Sequence, residues 1–193
     1  VTRKLPGRWL TTLHFSAVMK LTESADCVLI GGGVHPRPSS LALIKKITGA
    51  FAGKKVLDAA AITSFDRTRL KNTVLTPNQR EYLRLTRYTD IDRLITKGNI
   101  IVAKSWRTKI YSSNGIFENR TGDPGLTKAG TGDVLAGLIA GFTVQSKDQL
   151  QSAINAVYYL GVLGELLYKK NRGYFYLASD LAEEVRPIRQ AAR

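Results

Sequence analysis

Short apolar segments alternate with helical segments along most of the chain, and this alternation is the feature that most restricts its fold. The helical segments lie between and after the short apolar segments, and they are marked either by apolar residues at helical spacing or by helix start signals. Strands that alternate with helices favour a mostly parallel sheet with helices on both faces. The sequence therefore predicts a three-layer α/β/α fold. We expect its strands at 25–30, 55–58, 73–76 and 99–104.

One segment departs from this alternation. Two short β-rich runs lie on either side of Asn114-Gly115, which predicts an antiparallel hairpin over residues 109–118 with an Asn-Gly turn. The length of 193 residues fits a single domain, residues 1–193. We expect the helices at 39–52, from Pro77 onward, at 90–97, 132–145 and 147–169, and from 179 to about 191.

The chain is strongly basic, with 29 Lys and Arg residues against 15 Asp and Glu residues and a formal net charge of +14. Such an excess suggests anionic partners, among them nucleic acid, an anionic membrane surface and phosphorylated small molecules. The basic residues are scattered, however, and no motif of a nucleic-acid-binding module occurs. We therefore expect phosphorylated small molecules as partners rather than nucleic acid.

Cysteine content and hydropathy bear on the compartment. Cys27 is the single cysteine, so no disulfide can form within the chain. No apolar run is long enough to cross a bilayer, and no signal-like segment follows the basic N-terminus. We expect a cytoplasmic protein without a membrane partner, and the sequence leaves association of identical chains open.

Residues that could bind a ligand or take part in a reaction follow the predicted strands or begin the helices. In a parallel sheet, ligands bind beyond the carboxyl ends of the strands. These residues should therefore meet at one edge of the sheet. They are Gly31 to His35, Asp58, Asn78 with Glu81, Lys104, and Gly130 to Asp133.

The segment Gly130-Thr131-Gly132-Asp133 carries the sharpest signal. Its glycines permit a close approach of a ligand to the backbone, and the helix that follows begins with unpaired N–H groups and a positive dipole end. These groups predict a phosphate site. Asp133, in the first turn, could accept a proton from a substrate hydroxyl while the amides hold a transferring phosphoryl group. On this motif alone, a simple helix-capping role for Asp133 remains open.

The stretch 123–137, Asp-Pro-Gly-Leu-Thr-Lys-Ala-Gly-Thr-Gly-Asp-Val-Leu-Ala-Gly, resembles the signature of the ribokinase-like superfamily. In particular, it is similar to that of the NAD(P)HX dehydratases, carbohydrate-kinase-related enzymes that repair hydrated nicotinamide cofactors. Three more segments resemble that family in the same order. They are Ala25 to Gly33, Val56 to Ala59, and Leu75-Thr76-Pro77-Asn78-Gln79-Arg80-Glu81.

The resemblance implies a reaction and a set of roles. ADP or ATP, with Mg²⁺, phosphorylates the hydroxyl of hydrated NADH or NADPH, and loss of phosphate regenerates the reduced cofactor. Asp133 takes the position of the catalytic base and touches the hydrate, which Gly33 and Asn78 also contact. No all-protein metal site is expected. The residues implied for the nucleotide are Lys104, Ser105, Trp106, Arg107, Thr108, Gly130, Thr131 and Gly132.

The chain also departs from the family pattern. Ala60 stands where the family usually has a second aspartate, Ser105 where it has a glycine after the lysine, and His35 where a glycine is common. Family members normally carry further βα units before the first strand seen here, and residues 1–24 stand in their place. The sequence therefore predicts a ribokinase-like fold whose N-terminal units are shortened or missing.

Two other functions remain open at this point. A small-molecule kinase of the same superfamily, acting on a hydroxyethylthiazole, a hydroxymethylpyrimidine or a sugar-like alcohol, would also use Asp133 as its base. A catalytically impaired nucleotide-binding relative would explain Ala60 and the short N-terminal segment.

Overall fold

Six strands form one mixed sheet in the computed structural model, which describes residues 2–185. The strands lie side by side in chain order; the first four are parallel and the last two are antiparallel. The predicted mostly parallel sheet with an antiparallel hairpin is therefore confirmed. The strands are β1 (Cys27–Ile30), β2 (Lys54–Leu57), β3 (Thr73–Leu75), β4 (Ile100–Ala103), β5 (Lys109–Ser112) and β6 (Gly115–Glu118).

Seven α-helices accompany the sheet in the described residues. They are α1 (Phe15–Thr22), α2 (Pro38–Ala50), α3 (Gln79–Tyr88), α4 (Ile91–Thr96), α5 (Thr131–Ser146), α6 (Gln149–Asn171) and α7 (Ala178–Glu183). Short 3₁₀ helices occur at Thr12–His14, Ala59–Thr63 and Pro124–Thr127. Asp148 caps α6, since its Oδ1 accepts from the N–H groups of Leu150 and Gln151.

The sheet separates two hydrophobic cores. Because β1 to β4 are neighbours in chain order and crossovers between parallel strands are right-handed, the connecting helices share one face of the sheet. Successive strand residues point to opposite faces, so β2, β3 and β4 each contribute to both cores. The first core joins Leu57, Leu75 and Ile101 to Ile44 of α2, Leu85 of α3 and Leu94 of α4. The second joins Val56, Val74, Val102 and Ile110 to Leu135 and Ile139 of α5 and Leu160 of α6.

Two boundaries differ from the sequence prediction for local reasons. The helix α3 begins at Gln79 with Asn78 as its N-cap, so Pro77 lies before the helix rather than inside its first turn. The hairpin turn consists of Ser113 and Asn114, because Gly115 already pairs with Ser112 as the first residue of β6. The Asn-Gly pair therefore marks the hairpin correctly but places its turn one residue too late.

The segment before β1 holds structure that the sequence did not predict, namely α1 and a short 3₁₀ turn. In α5, a Cβ added to Gly137 or Gly141 would meet nothing within 4 Å, whereas Ala136 of the same helix is buried in the second core. The last predicted helix corresponds to α7, and its predicted part beyond residue 185 lies outside the described residues.

The strand β1 lies at the edge of the sheet and pairs only with β2 among the described strands. Its Leu29 side chain is 42% exposed, whereas the residues of β2 and β3 are almost all buried. Between residues 2 and 185, no helix has the length and apolar character needed to span a membrane.

Candidate active site

The carboxyl ends of the four parallel strands and the start of α5 meet at one edge of the sheet. The turn Gly31 to Gly33 follows β1, Asp58 follows β2, Asn78 lies just beyond β3, and Lys104 follows β4. The backbone joins two of these ends, since the N–H of Lys104 donates to the carbonyl of Pro77 at 2.8 Å. The structure therefore brings together the residues that the sequence placed at strand ends.

Gly31 allows the first of these turns to lie against the end of β2. Its φ of +124° is rare for residues with a side chain, and a Cβ at this position would lie 1.8 Å from the carbonyl oxygen of Asp58. The N–H of Asp58 donates to the carbonyl of Ile30 at 3.0 Å. Glycine is therefore required here for both backbone conformation and space. Gly33, which the resemblance assigns to the substrate, is exposed with a φ of +69°.

The start of α5 is held from inside the protein and open on the outside. Gly130 is the N-cap residue, with a φ of +89°. The buried Thr131 hydroxyl lies 2.7 Å from the carbonyl oxygen of Leu126 and 2.8 Å from that of Lys128. Within the described residues, the N–H groups of Gly132 and Asp133 have no acceptor. Thr131 therefore fixes the turn with its side chain, while the next two amides stay available for an anion.

The loop before α5 is anchored by a buried tyrosine. The Tyr176 hydroxyl lies 2.8 and 2.9 Å from the two carboxylate oxygens of Asp123, and one of those oxygens also accepts from the N–H of Gly125 at 2.7 Å. Burial raises the pKa of Tyr176 above its usual range, and the hydrogen bond and negative charge of Asp123 raise it further. Asp123 and Tyr176 thereby set the path of the chain into Gly130.

The carboxylate of Asp133 lies over the turn that follows β1. It is exposed, and a Cβ added to Gly32 would come within 2.7 Å of its Oδ1. No hydrogen bond or ion pair engages this carboxylate within the part of the chain that the structure describes. Asp133 therefore does not cap its helix through its side chain, and its oxygens are free to accept a proton from a ligand held above Gly32.

A buried ion pair holds Lys104 beside the start of α5. Its Nζ donates to Asp58 Oδ1 at 2.7 Å, and Thr76 donates to the same oxygen at 2.7 Å. The side chain of Lys104 is 20% exposed and that of Asp58 is 7% exposed. A Cβ added to Gly132 would lie 3.2 Å from the Lys104 nitrogen. The ammonium group therefore lies next to the two unpaired amides, where a phosphate would meet both.

Thr76 and the pairing role of Asp58 were not identified from the sequence as parts of this site. The signal was present, because Thr76 stands in the Thr-Pro-Asn segment and a hydroxyl directly after a buried strand can only point to a polar partner. Ala59, which follows Asp58, has a φ of +45° that is unusual for a residue with a Cβ. Ala60 lies in the short 3₁₀ helix and packs on the first core.

Asn78 caps α3 and keeps part of its amide free. Its Oδ1 accepts from the Glu81 N–H at 2.9 Å, and Glu81 Oε2 accepts from the Asn78 N–H at 2.8 Å. This reciprocal pair is a capping box, which supports a structural role for Glu81. The Asn78 Nδ2 group makes no hydrogen bond within residues 2–185, so it remains a donor for a ligand at this edge.

The loop from Lys104 to Thr108 turns on its own hydrogen bonds. The Ser105 hydroxyl donates to the Arg107 carbonyl at 2.6 Å, and the Thr108 hydroxyl donates to the Ser105 carbonyl at 3.1 Å. Trp106 is 85% exposed and contacts the Arg107 guanidinium, 4.4 Å from its ring centroid. Of these five residues, Lys104 alone has a measured contact with the start of α5, and the indole is free to stack on a planar ligand.

The arrangement defines a class of protein: an α/β protein in which a lysine, a helix start with unpaired amides and a free carboxylate meet at the carboxyl edge of the sheet. Its fold is ribokinase-like. It superposes on a ribokinase-like superfamily protein from Enterococcus faecalis with a TM-score of 0.76 and 28% identity, over 89% of this chain and 65% of that one.

The particular family follows from the sequence comparison. Residues 3–187 match the family model described as NAD(P)H-hydrate dehydratase, and the chain belongs to this family. It is 32% identical over 178 residues to the ADP-dependent (S)-NAD(P)H-hydrate dehydratase of Enterococcus faecalis, covering 84% of this chain and 60% of that protein. The chain therefore spans less than two thirds of this relative's length.

A solved relative has been crystallised with nucleotide. The ADP/ATP-dependent NAD(P)H-hydrate dehydratase of Bacillus subtilis, co-crystallised with ATP and Mg²⁺, superposes on the chain with a TM-score of 0.69 and 27% identity. The match covers 82% of this chain and 61% of that one. The family and the fold expected from the sequence are thus confirmed.

Proposed function

We propose that this chain catalyses the ADP- or ATP-dependent dehydration of hydrated NADH and NADPH. One observation supports the proposal most strongly. The unpaired amides of Gly132 and Asp133 lie beside the Lys104 ammonium, and the free carboxylate of Asp133 lies over Gly32. A phosphoryl donor and an alcohol acceptor can therefore meet across Asp133. Membership in the dehydratase family makes the hydrated nicotinamide the expected acceptor.

The residues divide the work of phosphoryl transfer. Asp133 takes the proton of the hydrate's hydroxyl group while the oxygen of that hydroxyl bonds to the terminal phosphorus of the nucleotide. The nucleotide, now with one phosphate fewer, is the leaving group. The amides and Lys104 hold the negative charge of the transferring group in place. The phosphate ester then loses phosphate by cleavage of its C–O bond, and loss of a neighbouring ring proton gives the reduced nicotinamide.

Magnesium fits this site as a companion of the nucleotide. Across residues 2–185, no group of three or more His, Cys, Asp or Glu side chains could hold a metal. The Asp58 carboxylate already binds Lys104, which leaves Asp133 as the nearby free carboxylate. The phosphate oxygens would supply the other ligands, as is usual for this ion. When bound, Mg²⁺ neutralises phosphate charge.

In this proposal the site has two ends. The Asn78 Nδ2 donor and the exposed backbone at Gly33 face the hydrated nicotinamide. The loop Lys104 to Thr108, with the exposed Trp106 indole, receives the nucleotide together with Gly130, Thr131 and Gly132. Thr131 contributes by holding the turn, because its hydroxyl is engaged with backbone carbonyls.

Replacement of the proposed base tests the function. Asp133→Asn should lower turnover of hydrated NADH with ADP or ATP by about 100- to 10,000-fold, since it removes a general base but keeps the size of the side chain. Absorbance of the reduced nicotinamide and release of inorganic phosphate measure the reaction. Asp92→Asn, an exposed carboxylate in the first turn of α4, is the matched control and should leave turnover unchanged.

The same assay separates the other functions. Unchanged turnover in Asp133→Asn would refute the role of this residue. A stable phosphate ester formed from an alcohol, without regeneration of NADH, would identify a small-molecule kinase. Nucleotide binding without turnover of any substrate would identify a non-catalytic relative.

A further inference from the structure

Three basic or imidazole side chains surround one indole next to the proposed substrate loop. The Arg37 guanidinium lies 3.9 Å from the Trp9 ring centroid, and the Arg8 guanidinium lies 5.1 Å from it. The His35 ring meets the same indole edge-on, with centroids 5.6 Å apart. We call these four residues the Trp9 cluster. Stacking on an aromatic face orients a guanidinium while its N–H edges stay available.

Two distant parts of the chain build this cluster. Arg8 and Trp9 precede α1, whereas His35 and Arg37 lie between β1 and α2. The Ser40 hydroxyl in the first turn of α2 donates to the Leu10 carbonyl at 2.8 Å, which attaches the N-terminal segment to that helix. The cluster is therefore a tertiary feature and not a chance run of basic residues.

Among residues 2–185, the positive charge of the cluster has no counter-ion. Within the described part of the chain, no carboxylate forms a salt bridge with Arg8 or Arg37, and neither guanidinium donates a hydrogen bond. Arg8, His35 and Arg37 are all exposed. Bringing two guanidinium groups to one ring without an acid costs free energy through their mutual repulsion, and an anion bound between them removes that cost.

The short distance between the cluster and Gly33 indicates which anion the cluster would bind. His35 is two residues and Arg37 four residues beyond Gly33. Because consecutive Cα atoms are about 3.8 Å apart, the Cα atom of Arg37 lies at most about 15 Å from that of Gly33. The turn is compact, because the N–H of Arg37 donates to the His35 carbonyl at 2.8 Å. In a nicotinamide dinucleotide, the first phosphate is one ribose away from the ring.

We infer that the Trp9 cluster binds the phosphate groups of the dinucleotide substrate through Arg8, His35 and Arg37. The inference rests on the proposed function, which places the nicotinamide ring at Gly33. The cluster serves the substrate end of the site, whereas Lys104 and the start of α5 serve the phosphoryl donor. His35 is part of this surface through its edge-on contact with Trp9.

Equilibrium binding tests the inference without turnover. The fluorescence of reduced nicotinamide reports the Kd of NADPH, NADH and the phosphate-free dihydronicotinamide riboside. Arg37→Gln should raise the Kd of NADPH by about three- to tenfold, the range expected for one exposed charged hydrogen bond. Arg8→Gln/Arg37→Gln should raise it further. Arg84→Gln removes the same charge from an exposed site on α3 and should leave the Kd unchanged.

The pattern across ligands decides the outcome. Equal weakening of NADPH and NADH supports binding of the diphosphate, and weakening of NADPH alone supports binding of the 2′-phosphate. An unchanged NADPH affinity in the double variant overturns the inference, as does an equal loss for the riboside. Weaker NADPH binding in Arg37→Gln, combined with no turnover of hydrated NADPH in the wild type, would retain the inference and reject the proposed dehydratase function.

Discussion

The pair formed by Asp58 and Lys104 gives the most informative test of how this site is held together. Asp58→Asn keeps the shape of the side chain and an oxygen that can accept from Thr76, but it removes the charge that faces Lys104. The Lys104 ammonium is then left without its counter-ion, with a side chain that is only 20% exposed. Loss of one partner of a buried pair is costly because the remaining charge stays desolvated.

The expected loss is about 2 kcal/mol of unfolding free energy. A fully buried pair loses about 3–5 kcal/mol when one partner is removed, and the partial exposure of Lys104 lowers this figure. For a chain of this length, about 2 kcal/mol corresponds to a Tm lower by about 4–8 °C. Thermal and urea unfolding of the ligand-free protein measure the change. The KM for ADP should also rise, because Lys104 is no longer held beside Gly132.

Two further variants decide whether the pair is the cause. Asp66→Asn removes the charge from a partly exposed contact of 3.9 Å with Arg69, and it keeps an oxygen that can accept from Thr68, so its Tm should match that of the wild type. Lys104→Met combined with Asp58→Asn removes both charges and should cost less than the sum of the single changes. If the losses are additive, or if Asp58→Asn unfolds like the wild type, the ion pair does not hold the site.

Four further substitutions test the packing and the electrostatics of individual positions. Gly31→Ala should lower the unfolding free energy by about 3 kcal/mol, because its Cβ would overlap the Asp58 carbonyl and its φ is positive. Gly137→Ala, where a Cβ meets nothing, should instead stabilise by about 0.5–1 kcal/mol, and equal effects in urea unfolding would contradict this account. Tyr176→Phe leaves the Asp123 carboxylate short of a donor and should cost about 1–2 kcal/mol by the same measurement; wild-type stability would argue against the anchor. Burial raises the pKa of the Cys27 thiol while Lys54 and Lys55 lower it, so iodoacetamide should react with a midpoint above the ordinary thiol range. Lys54→Gln should move that midpoint higher still, and a downward shift would refute the assignment.

The sequence predicted the sheet because its strands are short and almost wholly apolar. The segments around Val56, Val74 and Ile101 can be buried only between two helical layers, and their regular separation by helices leaves a parallel order as the simple solution. The glycines and acidic residues that follow the strands then had to collect at one edge. Gly132 and Asp133 were predicted as site residues because a helix start with glycines offers unpaired amides to an anion, and their roles stay predictions.

The contacts between distant segments could not be predicted in the same way. Nothing in the local pattern near Asp58 indicates that it pairs with Lys104, 46 residues later, because that pairing depends on how β2, β3 and β4 lie side by side. The Trp9 cluster was missed for a similar reason, since Arg8 and Arg37 meet only once α2 is attached to the N-terminal segment. Thr131 was predicted to bind nucleotide, yet its hydroxyl is directed to the backbone by the turn before α5.

The two ends of the site lie on parts of the protein that differ in burial and in local stability. The helix α5 extends from the anion-binding amides into the second core, where Leu135 and Ile139 are almost wholly buried, whereas Gly32, Gly33 and His35 lie in an exposed loop after an edge strand. Local opening should follow this difference. Amide hydrogens within α5 should exchange with deuterium only when the whole protein unfolds, and those of the loop should exchange through small local fluctuations. In the proposed reaction, the phosphoryl donor would bind a surface that is already rigid, whereas the acceptor would bind a loop whose local fluctuations its binding can slow.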